Sequence, residues 1–373
     1  MRKTFLYEAN IGNTTAAHAD RWLEICLTLY NNALDQRISV YRQHKKTISV
    51  YDQANQLPEL KKEFPEFKAV DSQVLQDVLE RLDKAYKSFF RRVKQKGQKA
   101  GFPRFKSYGR YDSFTLKQAD WKLTGRYLTI TRLGRFKLFL SRPLEGDIKT
   151  ITVRRVPGGK WLVAFSCDNV PAKKLPVTNK EVGIDVGIKS FRVDSDGGIV
   201  ENPACFRKSE TILRRRQRSL SRKKKGSNNR ATALVLVAKT HAKIINQRRD
   251  FLHKTANTYI QEYGKIMVED LKIQNMVKNQ YLAKSISDSS WGTFFELLSY
   301  KAEEAGRTVT KVTPHGTSQR CSGCGEQVPK SLSVRTHRCP SCRLVMDKDF
   351  NASRNILRAG QVLQALTPPV GVA

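Results

Sequence analysis

Four cysteines toward the end of the chain fall into two C-x-x-C knuckles, Cys321/Cys324 in TSQRCSGCG and Cys339/Cys342 in HRCPSCR. Two such knuckles wrap one tetrahedral Zn²⁺ with four thiolates, two from each turn. Gly323 and Gly325 supply the permissive backbone that such a turn wants. Four thiolates close the coordination sphere and leave no position for a water, so the zinc is expected to be structural and the chemistry to lie beside it. His337 could stand in for one cysteine, but four well-spaced thiols make that unnecessary. The competing reading, a pair of disulfides, is disfavoured in a basic chain whose other cysteines, Cys26, Cys167 and Cys205, are scattered as in a reducing compartment.

The second set of reactive residues is acidic. Asp185 interrupts the apolar run VGIDVGI, where a charge is costly unless it is paired or binds a metal. Another apolar run, KIMVEDL, ends in Glu269-Asp270. After Cys342, Asp347 and Asp349 open a helix-like run, ASRNILRAGQVLQAL. A carboxylate at a helix start is often a plain cap. With the other two, however, Asp349 completes a set from three separated segments, converging on one side of a mixed sheet. Such a set suits two Mg²⁺ ions, which activate a water and stabilise the leaving oxygen in phosphodiester hydrolysis. Neighbouring carboxylates would not all stay ionised without those cations.

The elements that must position these groups belong to a strongly basic chain. Its 373 residues allow two to three domains, and 68 Lys and Arg against 34 Asp and Glu give a formal charge of +34. That excess repels itself unless a polyanion neutralises it, which makes nucleic acid the default partner. A membrane-surface role is the alternative, but no apolar run approaches the ~20 residues of a spanning helix, and MRKTFLYEANIG has no signal-peptide core.

In chain order, residues 3–8 read as a strand. Residues 13–49 carry a 3.6-residue apolar period through Trp22, Ile25, Cys26, Leu29, Tyr30, Ala33 and Ile38. A break at PELKKEFPEF precedes a second helix over 72–94, with a core stripe from Val74 to Phe89 and a basic opposite face. Beyond a Gly- and Lys-rich connection at Gly97, the segments SFTL, YLTITRL, FKLFL, DIKTITVRRV and KWLVAFSC alternate as short strands of a β-rich domain. EVGIDVGIKSFRVDSDGGIV reads as three further strands. Between Asp185 and Glu269, Arg214, Arg215, Arg216, Arg218, Arg222, Lys223, Lys224 and Lys225 cluster ahead of a long helical run ending near Tyr263. A nuclear-localisation motif or a solvated charge run are alternative readings, but an RNA- or heteroduplex-facing helix and loop fits better. Arg320, Arg338 and Arg354 lie near the acidic set and could contact phosphate.

GIDVGIKSF, VEDLKIQNM and TSQRCSGCG…CPSC…DKDFNASRNI resemble the OrfB/TnpB family of insertion-sequence-encoded proteins, relatives of type V CRISPR nucleases. NQRRDFLHK, SISDSSWGTF and AYKSFFRRVKQKGQKAGFPRFK extend the resemblance over nearly the whole chain. It implies an RNA-guided DNA endonuclease with an α/β multidomain fold: a RuvC-like (RNase H fold) nuclease domain with an inserted zinc ribbon, a β-barrel-like wedge domain and a helical recognition domain. The family layout places the wedge at 1–12 and 98–177, the recognition helices at 13–97, the RuvC-like domain at 178–315 and 344–373, and the ribbon at 316–343. The family's three RuvC carboxylates match Asp185, Glu269 and Asp349. Asp349 is preferred to Asp347 because the family places it two residues before the first Asn of N-A-x-x-N, here Asn351.

The resemblance further implies a guide RNA made from the transposon end and a double-stranded DNA target, with one chain per RNA, no membrane, and a cytoplasmic, nucleoid-associated place in a prokaryote. Base pairing would read the target, and protein side chains a short adjacent motif. Tyr51, Gln76 and Thr115 match family residues near that motif; Gln pairs with adenine and Thr packs on a thymine methyl. The chain departs from the family pattern at Pro314-His315-Gly316, where relatives often carry an aromatic, and at Arg343, which replaces the common Gly. A transposase acting directly on transposon ends, or a catalytically silent guided regulator, are the alternatives; three intact carboxylates count against the silent one.

Overall fold

The structure, a computed structural model, describes residues 1–95, 100–117, 119–331 and 334–366. Part of the Gly- and Lys-rich connection, and nearly all of the tail LTPPVGVA, expected to be disordered, lie outside these residues. The chain divides into two compact units, Met1–Pro171 and Ala172–Ala373.

The first unit begins with β1 (Lys3–Ile11) and continues through α1 (Asn13–His44), α2 (Val50–Asn55), α3 (Leu57–Glu63), a 3₁₀ turn (Pro65–Ala69) and α4 (Ser72–Lys94). Six strands follow: β2 (Ser113–Leu116), β3 (Trp121–Thr124), β4 (Tyr127–Ile130), β5 (Gly134–Phe139), β6 (Asp147–Val156) and β7 (Lys160–Asp168). All seven strands form one antiparallel sheet in the order β2-β6-β7-β1-β5-β4-β3, with the first strand of the chain at its centre. The helices within PELKKEFPEF were not foreseen because Pro58 and Pro65 read as breaks, whereas each stands in the first turn of its helix; the strand WKLT was not foreseen either. The first helix stops at His44, short of Ser49, because Lys45 turns into the left-handed region as its C-cap. Helices and sheet share one apolar core, in which the Trp22 ring meets Phe114 edge-on at 5.4 Å.

The second unit contains β8 (Glu181–Val186), β9 (Ser190–Asp194), β10 (Ile199–Glu201), α5 (Cys205–Ser221), α6 (Asn228–Glu262), β11 (Lys265–Glu269), α7 (Ile273–Met276), α8 (Ala283–Ser289), α9 (Trp291–Ala305), β12 (Thr308–Val312), β13 (Thr336–Arg338), β14 (Val345–Asp347) and α10 (Lys348–Leu366). Its linker belongs to it: Leu175 donates to Ala305 O at 3.0 Å and Arg307 to Pro176 O at 2.8 Å, so the division falls ahead of the expected boundary at 177/178. Five strands form a mixed sheet ordered β10-β9-β8-β11-β12, antiparallel from β10 to β8 and parallel across β8, β11 and β12.

Strand alternation divides this sheet. Val182, Ile184, Ile266 and Val268 enter one core with Leu252, Tyr259 and Ile260 of α6 and Phe294 and Leu298 of α9. Met267 and Val312 enter another with Ile356 of α10. α10 lies unusually close to the strands. A Cβ on Gly183 would come within 2.2 Å of Ser353 O, and one on Gly360 within 2.1 Å of Met267 Cγ. Gly183→Ala is therefore expected to destabilise the protein by about 1–3 kcal/mol through overpacking, read as a lowered thermal midpoint, whereas Gly101→Ala, with open space around it, should leave the midpoint unchanged.

Candidate active site and metal centre

The alternation that sends Ile184 and Val268 into one core turns Asp185 and Glu269 toward the α10 side with Gly183 and Met267. The parallel register pairs Val268 with Ile184, so Glu269 and Asp185 occupy the next rung of adjacent strands. Asp349 enters from the first turn of α10. The structure therefore brings together the three carboxylates predicted from separate segments.

Their electrostatics show the same convergence. Asp185 is pushed well above the usual carboxylate range, first by burial of its carboxyl, then by Glu269 and Asp349; Lys348 opposes and Asp347 adds to the effect. Glu269 is also raised by burial, against a hydrogen bond from Thr317 that lowers it. Thr317 Oγ1 donates to Glu269 Oε1 at 2.5 Å. Asp349 has a long contact, 3.4 Å, from Arg335 Nη1. This is a set of hard oxygen donors whose mutual repulsion a divalent cation would relieve, and so the residues fit Mg²⁺. Among the described residues, the three do not form a group with all ligand atoms within 4.8 Å, as the cysteines do.

Asp347 and Asp349 have separate roles. Asp347 Oδ1 accepts the backbone N–H groups of Asp349, at 2.8 Å, and Phe350, at 3.2 Å, which makes Asp347 the cap of α10. Asp349 is thereby released from capping.

The four cysteine sulfurs all lie within 4.8 Å of one another, with Cys321–Cys342 at 3.6 Å and Cys324–Cys339 at 3.5 Å. Tetrahedral zinc at about 2.3 Å from sulfur requires S···S edges of roughly 3.8 Å, so the site fits the ion. The two knuckles repeat one backbone pattern: Cys321 N to Glu326 O and Gly325 N to Cys321 O, then Cys339 N to Leu344 O and Arg343 N to Cys339 O. Gly325 and Arg343 are thus equivalent positions, with φ of +83° and +60°. The arginine takes up a left-handed turn that glycine adopts freely. The backbone N–H of Cys342, chiefly, draws the Cys339 thiol down to about 6, whereas Cys342, despite the backbone N–H of Leu344, is pushed up to about 12 by burial and the neighbouring thiols. His337 is fully buried, touches Lys330 through Nδ1 and does not join the thiols.

Sequence reasoning missed the residues that fasten this ribbon. Asn351 Oδ1 accepts Ser322 N at 2.9 Å, and its Nδ2 donates to Arg320 O at 2.8 Å. Asn355 Nδ2 donates to Thr317 O and Arg320 O, at 2.8 and 2.6 Å. Both asparagines are buried. Polar residues on the buried face of an otherwise apolar helix were the available signal.

The predicted nucleic-acid contacts occupy different settings. Arg214, Arg215 and Arg218 are exposed on α5, and Arg222 and Lys223–Lys225 in the following loop. Arg214 also pairs with Glu210 at 3.0 Å. Arg216 is half-buried and donates to Leu236 O and Thr240 Oγ1, at 3.1 and 2.5 Å, so it staples α5 to α6. In the first unit Tyr51 on α2 and Gln76 on α4 are exposed, and α4 packs against both α2 and β2. Thr115 on β2 is half-buried. Its hydroxyl accepts from Arg81 Nη2 at 2.7 Å and meets Thr152 Oγ1 at 3.0 Å. A groove along α1, α4 and residues 102–105, also unforeseen, exposes Tyr41, Phe90, Phe102 and Phe105 beside Arg42 and Arg104.

Comparison with known proteins adds the family. The family OrfB_IS605, described as "Probable transposase", matches residues 164–280, and the Cas12f1-like TNB domain matches 291–356. A Streptomyces pristinaespiralis protein named "Putative RNA-guided DNA endonuclease" is 33% identical over 98% of this chain and 91% of its own. InsQ of Escherichia coli K12, given the same description, is 31% identical over 97% of this chain and 93% of its own. The chain belongs to the OrfB/TnpB family. Among solved structures, a chain of the Cas12f1-sgRNA-target DNA complex superposes with a TM-score of 0.56 at 16% identity, over 91% of this chain and 81% of that one, a likeness of fold. No helix among the described residues is long and apolar enough to cross a membrane.

The raised carboxyl of Asp185 carries a stability consequence. A carboxyl whose folded pKa lies above its unfolded value stabilises the protein while protonated, and that contribution is lost as pH rises through the folded pKa. In the absence of divalent cations, Asp185→Asn is expected to melt higher than wild type at pH 8, with the difference shrinking toward pH 4. Added Mg²⁺ should raise the wild-type midpoint and leave the variant unmoved.

Proposed function

We propose that this protein is an RNA-guided DNA endonuclease that hydrolyses phosphodiesters at a RuvC-like site formed by Asp185, Glu269 and Asp349. One observation carries the reading: two adjacent strands and a helix start deliver three acidic side chains to one face of a mixed sheet, where burial and mutual repulsion raise Asp185. Near-full-length relatives named as RNA-guided DNA endonucleases support it. Bound divalent cations would activate the attacking water and neutralise the leaving oxygen.

The chain's own residues do the rest. Asp185 and Glu269 supply oxygen ligands from rigid strands, and Asp349 supplies one from a helix whose capping is left to Asp347. The four-cysteine ribbon holds structural zinc. The exposed Arg and Lys of α5 and its loop offer a phosphate-binding surface. In the first unit, the exposed aromatics beside Arg42 and Arg104 suit stacking against bases. Residues 1–12 with 98–171 would be the wedge, 13–97 the recognition helices, and Tyr51, Gln76 and the Thr115 methyl would face the target-adjacent motif. The guide RNA would come from the transposon end, with one chain per RNA, in a prokaryotic cytoplasm.

The protein expressed with its flanking transposon-end DNA should carry a guide RNA, identifiable by sequencing. With Mg²⁺ it should cleave plasmids bearing the matching target, and Asp185→Ala should lower cleavage by at least about 10³-fold. Activity confined to transposon ends with no bound RNA would favour the transposase reading that the matched family's description carries. A triple Arg215→Gln, Lys223→Gln, Lys224→Gln variant should bind RNA more weakly, with a log K against log[salt] slope shallower by about 2–3. An unchanged slope would remove this loop from the interface.

A further inference from the structure

We propose that Thr317 is a positioning residue: by holding Glu269 it makes the zinc ribbon part of the carboxylate site, not a separate stabilising module. The inference rests on the nuclease reading above and concerns which groups fix the geometry of that site.

Thr317 lies four residues before the first zinc-ligating cysteine. Its hydroxyl sits between two acceptors, Glu269 Oε1 at 2.5 Å and Pro314 O at 3.1 Å. The shorter bond is to the carboxylate, in the range of charge-assisted O–H···O⁻ bonds. Glu269 is the last residue of its strand; its backbone is held, paired with Val312 of β12 and accepting Leu271 N at 3.0 Å, but that backbone does not fix the far end of its side chain. A long, rotamer-rich side chain in that position needs an anchor to present its oxygens at a fixed place, and Thr317 supplies it.

The anchor is itself anchored. Asn355 binds the Thr317 and Arg320 carbonyls, and Asn351 binds the Arg320 carbonyl and the Ser322 N–H. Residues 317–322 are thereby fastened to α10, on which Asp349 lies two residues before Asn351. Glu269 and Asp349, which belong to different elements, are thus connected through one short stretch of chain. The first zinc knuckle closes that stretch, because Cys321 follows Arg320. A change at Thr317 should therefore alter cation binding while leaving the ribbon folded.

The test compares Thr317→Val, which keeps the shape and removes the donor, with Thr317→Ser, which keeps the donor. Purified guide-RNA complexes are titrated with Mn²⁺ by electron paramagnetic resonance. The sites lost in Asp185→Ala define the protein's own ions against those on RNA. Zinc content is measured in each sample. Thr317→Val should raise the half-saturating Mn²⁺ concentration about tenfold, with zinc retained, and Thr317→Ser should lie within about twofold of wild type. Cleavage by the valine variant should recover in part at high Mg²⁺. A valine variant that titrates like wild type overturns the proposal. So does one that sheds zinc, since Thr317 would then act on the ribbon's fold. If wild type and Asp185→Ala titrate alike, the nuclease-site reading fails first and the positioning role falls with it.

Discussion

The second unit depends on how closely one helix approaches one face of its sheet. Gly183 on β8 and Gly360 on α10 have no side chain where a Cβ would collide with the opposing element. That approach brings the start of α10 over the ends of β8 and β11, where Asp185 and Glu269 stand. A helix held farther from the strands would leave Asp349 short of the other two carboxylates. The cost of assembling three like charges falls on Asp185, whose acidity is suppressed by burial and by its neighbours.

Polar connections link this assembly to the ribbon. Asn351 and Asn355 occupy buried positions on α10 and spend their amide groups on backbone carbonyls and an N–H of residues 317–322. A buried amide with satisfied partners favours one arrangement over many near-equivalent ones, because any shift leaves donors unpaired. At the start of the same helix, Asp347 caps the backbone, which frees the Asp349 carboxylate from that task.

The first unit shows how charge and aromaticity are distributed when the core is already complete. Its helices and sheet bury Trp22, Phe114, Phe136 and Phe165 in one cluster. Tyr41, Phe90, Phe102 and Phe105 remain at the surface near arginines. Exposed aromatics beside cations are costly in water and useful against nucleobases.

Much of the candidate site was legible in the sequence. The cysteine spacing set out the ribbon, because ligand spacing in a knuckle is local. Asp185 and Glu269 stood out, because a charge within or ending an apolar run is an anomaly on any scale of burial. The three strands after Glu181 and the long helix before Tyr263 were visible through their periods. The edge strands WKLT and TVTKV were not read, and LPELKKE was missed because Pro58, which stands in its first turn, read as a break. What only the tertiary structure decided were the partners. Arg216 looks like its exposed basic neighbours in sequence, yet it staples two helices. Thr115 looks like a surface threonine, yet its hydroxyl is taken up by Arg81 and Thr152. Thr317 gave no sign of its bond to Glu269, 48 residues away in sequence. Residue type and spacing encode which groups can react and which elements form, because both are local. Which donor meets which acceptor depends on the close approach of segments far apart in the chain, and so it was settled by packing.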